Sequence, residues 1–348
     1  MTDRKPTIDD VAARSGVARA TVSRVLNDGP NVSAKMRTRV LAAVDALDYQ
    51  VNVQARFLAG GANRTVLLIC SSNVESEPNS YYQSALEIGA LRAAVPFGFD
   101  IVTHAIVDTA SDCEARILEL VEDSRCTGII LTPPFSDRTT LTAALAKRAC
   151  ALVCISPALD VATGAPSVRM DDEAAGFALA RHLLALGHRR FGFIKGLAGH
   201  LSAEERHDGA LRALVAEGLG PEAMISCRGD FTFKAGVDLL PTLIAADPRP
   251  TAIICANDDT AVGALFAAHR DGLSVPGDLS IGSFDDTPVS ALVWPPLTTI
   301  HQPIQAMSGR AIQIIAAIQK GATAVTTGPE MLPFHLVERA STALPPDR

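Results

Sequence analysis

At 348 residues the chain exceeds what one compact core of roughly 150 residues supports, and its 48% hydrophobic against 20% charged content excludes a disordered protein. The formal net charge of -7 argues against a nucleic-acid binder only until it is divided: residues 1–60 hold nine Lys or Arg against six Asp, and the remainder holds 22 basic against 32 acidic residues. A small basic head on a large acidic body confines affinity for phosphate to the head. The first residues lack the charged, apolar and small-residue pattern of an export leader, and no apolar run reaches the ~18 residues of a membrane helix, so a cytoplasmic location away from membranes is expected. Most of the seven cysteines fall in apolar runs such as 66–70, 152–155 and 253–255, as buried reduced thiols would, and Cys150 and Cys154 lack the His and Cys neighbours zinc needs.

From Thr7 to Asn27 the chain reads TIDDVAARSGVARATVSRVLN, two short helical patterns hinged at Gly16. Thr7 is a candidate cap with Asp10 in the capping-box position, Val11 and Ala12 point inward, and Val22, Val25 and Leu26 pack the second helix on the first. That leaves Arg19, Ala20, Ser23 and Arg24 on the outer side, the residue types that fork onto guanine edges and grip phosphates. Two arginines alone would only solvate a helix face; with the turn and cap they spell a DNA-reading helix-turn-helix. Ser33 is the candidate N-cap of a third helix to about Leu47, striped by Val40, Val44 and Leu47. NVQARFLAGG then follows, a segment too short to be a stable helix alone and so a candidate for folding on binding.

From Thr65 onward short apolar runs alternate with helical patterns: VLLIC then 83–94, GIILT then 141–148, ALVCI, FGFI then 209–217, AIICA then 260–270, and LSIGSF. Such alternation predicts parallel sheets covered by helices on both faces, and residues 62–348 are too many for one sheet. Ligands of open parallel sheets bind beyond the carboxyl ends of strands. Thr132, Ser156, Asn257 and Asp285 stand there, with Arg206 and Phe231 in segments after later strands. A carboxylate, an amide, a rigid donor fork and an aromatic ring suit a sugar's hydroxyls and apolar face, although Asn257 alone is equally a helix cap.

The head, the following NVSAKMRTRVLAAVDALDYQVN, the segment NVQARFLAGG, and then HLLALGHRRFGFI, TAIICANDDTAVGAL, GDLSIGSFDDTP and PPLTTIHQP together resemble the lactose-repressor (LacI/GalR) family of bacterial transcriptional regulators, in the family's order and over essentially the whole chain. The resemblance implies an all-α headpiece over 1–49, a hinge helix over 50–61, and over 62–348 an effector-binding and dimerisation domain with two α/β subdomains, like periplasmic sugar-binding proteins. It implies that Arg19 and Ala20 read bases, that Thr7, Thr21, Ser23, Arg24, Asn27 and Ser33 hold or support phosphate contacts, and that Leu58, supported by Asn52, Ala55 and Arg56, wedges into the minor groove and kinks the DNA. For the effector it implies Ser202, Arg206, Phe231, Asn257, Asp285 and Gln302.

Departures from the family pattern are Ala18 where a capping Ser is usual, Val51 for the proline before the hinge, Ser156 for a frequent Asp, and Met170 and Ile304 where an aromatic can stand. The first strand runs into a long SSNVESEPNSYYQ segment whose Tyr81 and Tyr82 either line the cleft or pack beside it. No GxGxxG after a strand, GxxxxGK[ST] or GxSxG occurs, and His188 reads as a helix-end residue. The expectation is a homodimeric regulator rather than an enzyme or an exported binding protein, with no cofactor or metal. It is expected to be a repressor on a pseudo-palindromic operator, controlled by a mono- or disaccharide, with inducer and corepressor modes both open.

Overall fold

The computed structural model describes residues 6–26, 32–47, 49, 64–71, 81–158, 162–321 and 328–346. The chain separates into two compact units, within 1–63 and 64–348.

In the first unit, α1 (Ile8–Ser15), α2 (Arg19–Leu26) and α3 (Ala34–Ala46) enclose a core of Val11, Val22, Val25, Val40 and Ala43. Thr7 starts α1 with the expected capping box: the Asp10 N–H donates to Thr7 Oγ1, and the Thr7 N–H donates back to Asp10 Oδ2 at 2.7 Å. Gly16 ends α1 in the left-handed region at φ +62°. Arg39 of α3 then donates to the Ser15 carbonyl at 2.6 Å, setting a cation on the negative end of the helix dipole. Ser33 caps α3 by accepting from the Met36 N–H.

The second unit contains two six-stranded sheets. Labelled in chain order, the first comprises β1 (Thr65–Ser71), β2 (Asp100–Ile106), β3 (Gly128–Leu131), β4 (Ala151–Ile155), β5 (Ser167–Arg169) and β11 (Pro329–Met331), in the order β11-β5-β4-β3-β1-β2. The second comprises β6 (Phe191–Lys195), β7 (Met224–Arg228), β8 (Ala252–Cys255), β9 (Ser280–Asp285), β10 (Thr298–His301) and β12 (His335–Val337), in the order β12-β10-β9-β8-β6-β7. Every pairing is parallel except β10 with β12. The chain passes from the first lobe to the second after β5, returns after β10 to form β11, and crosses again into β12.

Helices cover both faces, as the unbroken apolar strands require. Val66 and Leu68 of β1 face α4 (Tyr81–Ala94) and α12 (Ile304–Gln319), while Leu67 and Ile69 face the side of α5 (Cys113–Ser124) and α6 (Thr139–Ala146). In the second sheet Phe191 and Phe193 face α7 (Asp172–Ala185) and α8 (Leu201–Ala216), and Ile194 faces α9 (Phe233–Ile244) and α10 (Asp258–Arg270). A short helix, α11 (Pro288–Leu292), follows β9.

The runs read as strands are strands. The main difference lies in α8: the sequence pattern places a helix only over 209–217, whereas it begins at Leu201, so Ser202 and Arg206 stand on its first turns. Its charged stretch Glu204–Asp208 breaks the apolar stripe because Arg206 and His207 face inward. The departures Met170 and Ile304 are core residues, 0% and 2% exposed. His188 follows the end of α7, fully buried, and ties Thr251, Ser280 and the Ala343 carbonyl together. None of the described helices is long and apolar enough to cross a membrane.

Close helix crossings recur in the second lobe. A Cβ on Gly176 of α7 would stand 1.9 Å from the Arg206 carbonyl of α8, and one on Gly209 would stand 1.9 Å from the Glu173 carbonyl. Gly176→Ala is therefore expected to cost roughly 1–3 kcal/mol by overpacking. Chemical denaturation checks it; a variant as stable as the parent would mean that the two helices separate freely.

Candidate functional site

A cavity of about 480 Å³, counting the space that opens to solvent, lies between the two sheets and is lined by Tyr82, Ser156, His200, Ser202, Arg206, Phe231, Asn257, Asp285 and Gln302. All these residues stand at or beyond carboxyl ends of strands: Ser156 after β4, His200 and Ser202 after β6, Phe231 after β7, Asn257 after β8, Asp285 closing β9 and Gln302 after β10.

Arg206 organises the wall. Its Nε donates to Asp172 Oδ1 at 2.9 Å, Nη1 to the Ala256 carbonyl at 2.8 Å and Nη2 to Gln302 Oε1 at 2.9 Å, while Asp285 Oδ1 stands 3.8 Å from Nη1. Its guanidinium carbon lies 4.9 Å from the centre of the Phe284 ring, a cation–π contact. Behind it Asp172, fully buried, also faces Arg169 at 3.6 Å. Arg169 is itself 0% exposed and donates to the Met170 and Pro157 carbonyls and to Glu205 of α8. The result is a charge chain, Glu205–Arg169–Asp172–Arg206, buried except at the half-buried Glu205 and running from β5 of the first sheet into α8 of the second lobe.

A parallel contact crosses at Asp137, which follows β3. It accepts from the Ala158 N–H at 2.9 Å and faces the Leu201 backbone at the start of α8; burial holds its carboxyl up at about 6.

Asp285 is positioned by a second buried carboxylate. Asp258 accepts from Ser283, from Thr299 Oγ1 at 2.8 Å, and from the Thr287 N–H and Oγ1 at 2.7 and 2.9 Å. It thereby binds α10 to β9, β10 and the start of α11. Burial, opposed by Arg206 and reinforced by Asp258, Asp259 and Asp172, pushes the Asp285 carboxyl up to about 8. His200 is pushed the other way, to about 3, by burial and the neighbouring Arg206, so its ring is neutral. It meets Ser202 Oγ through Nδ1 at 3.2 Å and the edge of Phe231 at 5.0 Å between ring centres. Burial also raises the Tyr82 phenol.

Asn257 caps α10 by accepting from the Thr260 N–H at 3.1 Å, and its Nδ2 donates to the Phe231 carbonyl at 2.9 Å. Cap and lining are thus one role for this side chain. Ser156, Phe231 and Asp285 have φ of +46°, +68° and +106°, left-handed backbone that costs on the order of 1–3 kcal/mol at a non-glycine residue and clusters at ligand sites.

Of the effector residues read from the sequence, the cavity brings together Ser156, Ser202, Arg206, Phe231, Asn257, Asp285 and Gln302; Thr132 is not in its wall. Thr132 is 1% exposed, and its hydroxyl closes the end of the first sheet by donating to the Ile69 carbonyl at 3.0 Å. Tyr82 lines the cavity. His200, Asp172 and Arg169 were not singled out from the sequence; a buried charge needs an opposite charge, so Arg206 itself was the signal for Asp172 in the acidic pair after β5.

In the first unit Arg19, Ala20 and Arg24 of α2 are exposed, Thr21 and Ser23 half-buried, and Thr7 and Ser33 cap their helices. Arg19 stands 3.6 Å from Asp9 with both side chains largely in water, a weak tie that leaves the guanidinium free to exchange partners. Asn27, Asn52, Ala55, Arg56 and Leu58 lie outside the described residues.

A family model described as bacterial regulatory proteins, lacI family, matches residues 7–52, and one described as a periplasmic binding protein-like domain matches 180–342. Catabolite control protein A of Priestia megaterium is 31% identical over 337 residues, 97% of this chain and 99% of that protein. The crystal structure of the lac repressor dimer bound to operator and the anti-inducer ONPF matches with a TM-score of 0.80 and 27% identity, covering 98% of this chain and 100% of that one. A complex of the transcriptional regulator CelR with cellobiose matches with a TM-score of 0.73 and 27% identity, covering 97% and 99%.

Asp285→Asn tests the electrostatics. The folded carboxyl keeps its proton to about 8, whereas an unfolded one loses it near 4; between these values the folded state binds more protons, so its stability falls as pH rises. Thermal melts of the ligand-free variant are expected to lose part of that decline, and an undiminished slope would assign the decline to other groups.

Proposed function

This chain belongs to the LacI family of bacterial regulatory proteins and is a DNA-binding transcriptional regulator, not an enzyme, and from that premise we propose that it is a homodimeric repressor whose affinity for a pseudo-palindromic operator is set by a mono- or disaccharide bound between the two lobes. The observation that carries the sugar reading is the lining itself: Arg206, Asp285, Asn257, Gln302 and Ser202 supply donors and acceptors, while Phe231 and Tyr82 offer apolar faces. The cellobiose complex of CelR supports the same class of ligand.

In this reading 1–49 is the operator reader, 50–61 a hinge that folds on DNA, and 62–348 the sensor. Arg19 and Ala20 meet base edges; Thr7, Thr21, Ser23, Arg24, Asn27 and Ser33 hold the backbone; Asn52, Ala55, Arg56 and Leu58 act in the minor groove. The proposed mechanism is a coupling free energy between effector and operator. A sugar engages Asp285 and Arg206 on the second lobe and Ser156 and Tyr82 on the first, so binding favours one angle between lobes. A changed angle alters the dimer and hence the spacing of two reading heads, which must match the half-site spacing. Pairing of two copies is supported by the lac repressor dimer and by apolar side chains left in water, including Leu91 and Val95 at 52% and 76% exposure and Leu292 and Trp294 at 82%.

Two tests follow the two ends of the molecule. Sugars are screened by thermal shift, where a ligand at about 100 times its Kd adds ~2.7 kcal/mol of stability, and each hit is titrated against operator by fluorescence anisotropy. Asp285→Ala is expected to lose the hit's effect and keep operator affinity; release of the parent from DNA marks an inducer, tightening a corepressor, and an unchanged response in the variant would remove Asp285 from the site. Arg19→Ala is expected to cost about 1–3 kcal/mol on the cognate operator and to flatten discrimination among operator variants. An equal loss on every sequence would make Arg19 a phosphate contact instead.

A further inference from the structure

The sensor contains a pair of thiols that no step above uses. Cys126 follows Arg125, the left-handed end of α5 at φ +46°, and precedes β3; Cys150 immediately precedes β4. The two strands are neighbours, with Gly128 opposite Ala151 and the Ala151 N–H bonded to the Thr127 carbonyl at 3.1 Å. In this register Cys150 comes opposite Thr127, one residue from Cys126, and strands about 4.8 Å apart with a rise of ~3.3 Å per residue leave the two Cα atoms roughly 6 Å apart, inside the ~4.4–6.8 Å that a disulfide spans. Cys126 belongs to the apolar cluster between this sheet and α5 and α6, and Cys150 packs against the same cluster. Cys126 is 7% exposed and Cys150 is half-buried, so a small oxidant reaches the pair from the Cys150 side.

We propose that Cys126 and Cys150 form a reversible dithiol–disulfide site that reacts with hydroperoxides. In the first step the Cys126 sulfur attacks one peroxide oxygen, the O–O bond breaks, and the leaving oxygen takes a proton to become an alcohol or water. Cys126 is then a sulfenic acid. In the second step the Cys150 sulfur attacks the Cys126 sulfur, the S–O bond breaks, and the hydroxide leaves as water with the Cys150 proton. Two thiols and one hydroperoxide give one disulfide, one alcohol or water, and one water; an external dithiol reverses the exchange.

The surroundings select this pair and this order of attack. Hydrogen bonds from Cys150 and Ser124 hold Cys126 down at about 7, giving it the thiolate that the first step needs. Burial pushes Cys70 and Cys154 up to about 12 and Cys255 higher still, which makes them poor nucleophiles. The new bond would sit beside a junction: Thr127 donates to the Thr65 carbonyl at the start of β1 at 2.8 Å, and its carbonyl also accepts from Gln319 at the end of α12 at 3.0 Å.

The test uses the full-length, fully reduced protein, treated with hydrogen peroxide, alkylated and mapped by mass spectrometry. The expected result is the loss of two of the seven thiols, a linked peptide pair containing Cys126 and Cys150 lighter by two hydrogens, and recovery with dithiothreitol. Cys150→Ser, with its fold checked by circular dichroism, is expected to leave a Cys126 sulfenic acid trapped by dimedone, and Cys126→Ser to remove both products. Peroxide treatment that oxidises other thiols, or over-oxidises Cys126 without the linked pair, overturns the proposal.

Discussion

Two guanidinium groups inside the protein constrain everything around them. Arg169 and Arg206 are 0% and 5% exposed, and charges withdrawn from water this far persist only with partners of opposite sign and filled hydrogen bonds. Asp172 supplies the charge between them, Glu205 the charge at one end, and backbone carbonyls of Met170, Pro157 and Ala256 most of the remaining acceptors. Removing one member would strand another, at about 3–5 kcal/mol for a buried pair. The end of β5, the start of α7 and the first turns of α8 are consequently fixed as one piece. Arg206 has five N–H donors, and its contact toward Asp285 is the long one at 3.8 Å. In the proposed sugar site, that gap between a charged donor and a carboxyl held high by burial is where a ligand hydroxyl would enter.

The start of α8 serves both sides of the cleft. Ser202 and Arg206 line the cavity, while the Leu201 backbone and Glu205 face Asp137 and Arg169 on the first-sheet side. A displacement of this turn is therefore felt at the ligand wall and at the junction together. Its freedom is limited from behind by Gly176 and Gly209, whose missing side chains let α7 and α8 touch backbone to backbone. The same device holds α9 to α10, where Cβ atoms on Gly236 and Gly263 would meet the Thr260 and Phe233 carbonyls at 2.0 and 1.9 Å. In the proposed mechanism, rigid helix pairs of this kind would convert small shifts into rotations of whole lobes rather than local bending.

How far the sequence carried depended on how strongly each element announces itself. Buried strands such as β4 and β8 are unbroken apolar runs and β9 is buried throughout, and their carboxyl ends pointed to Ser156, Asn257 and Asp285. Edge strands were harder: β2 and β7 mix buried and half-exposed residues, so their pattern resembles a loop's. The start of α8 was hidden for a related reason, because its inward face carries Arg206 and His207 where periodicity looks for apolar residues. Thr132 shows the limit of the strand-end signal. Its place after β3 is the right one for a ligand contact, but its hydroxyl faces the Ile69 carbonyl, and strand-end position alone does not say which way a side chain turns.

The DNA-reading unit is built with less to spare than the sensor. Among the described residues its fully buried core is Val11, Val22, Val25, Val40 and Ala43, with half-buried side chains such as Ile8, Leu26 and Leu47 packed against it, and units of this size are marginal unless something else supports them. Polar ties supply part of that support: the Thr7–Asp10 box and the Arg39 contact to Ser15 both satisfy helix-end groups that a small core leaves open. At α2 the tie is weaker. The Thr21 and Val22 N–H groups bond to the Ala18 carbonyl, but Ala18 has no side-chain oxygen to accept from the first turn, where a Ser or Thr would contribute about 1 kcal/mol. The helix that carries Arg19 and Arg24 thus begins with its positive end uncapped from within, and a phosphate is the acceptor that both the dipole and the basic surface favour there.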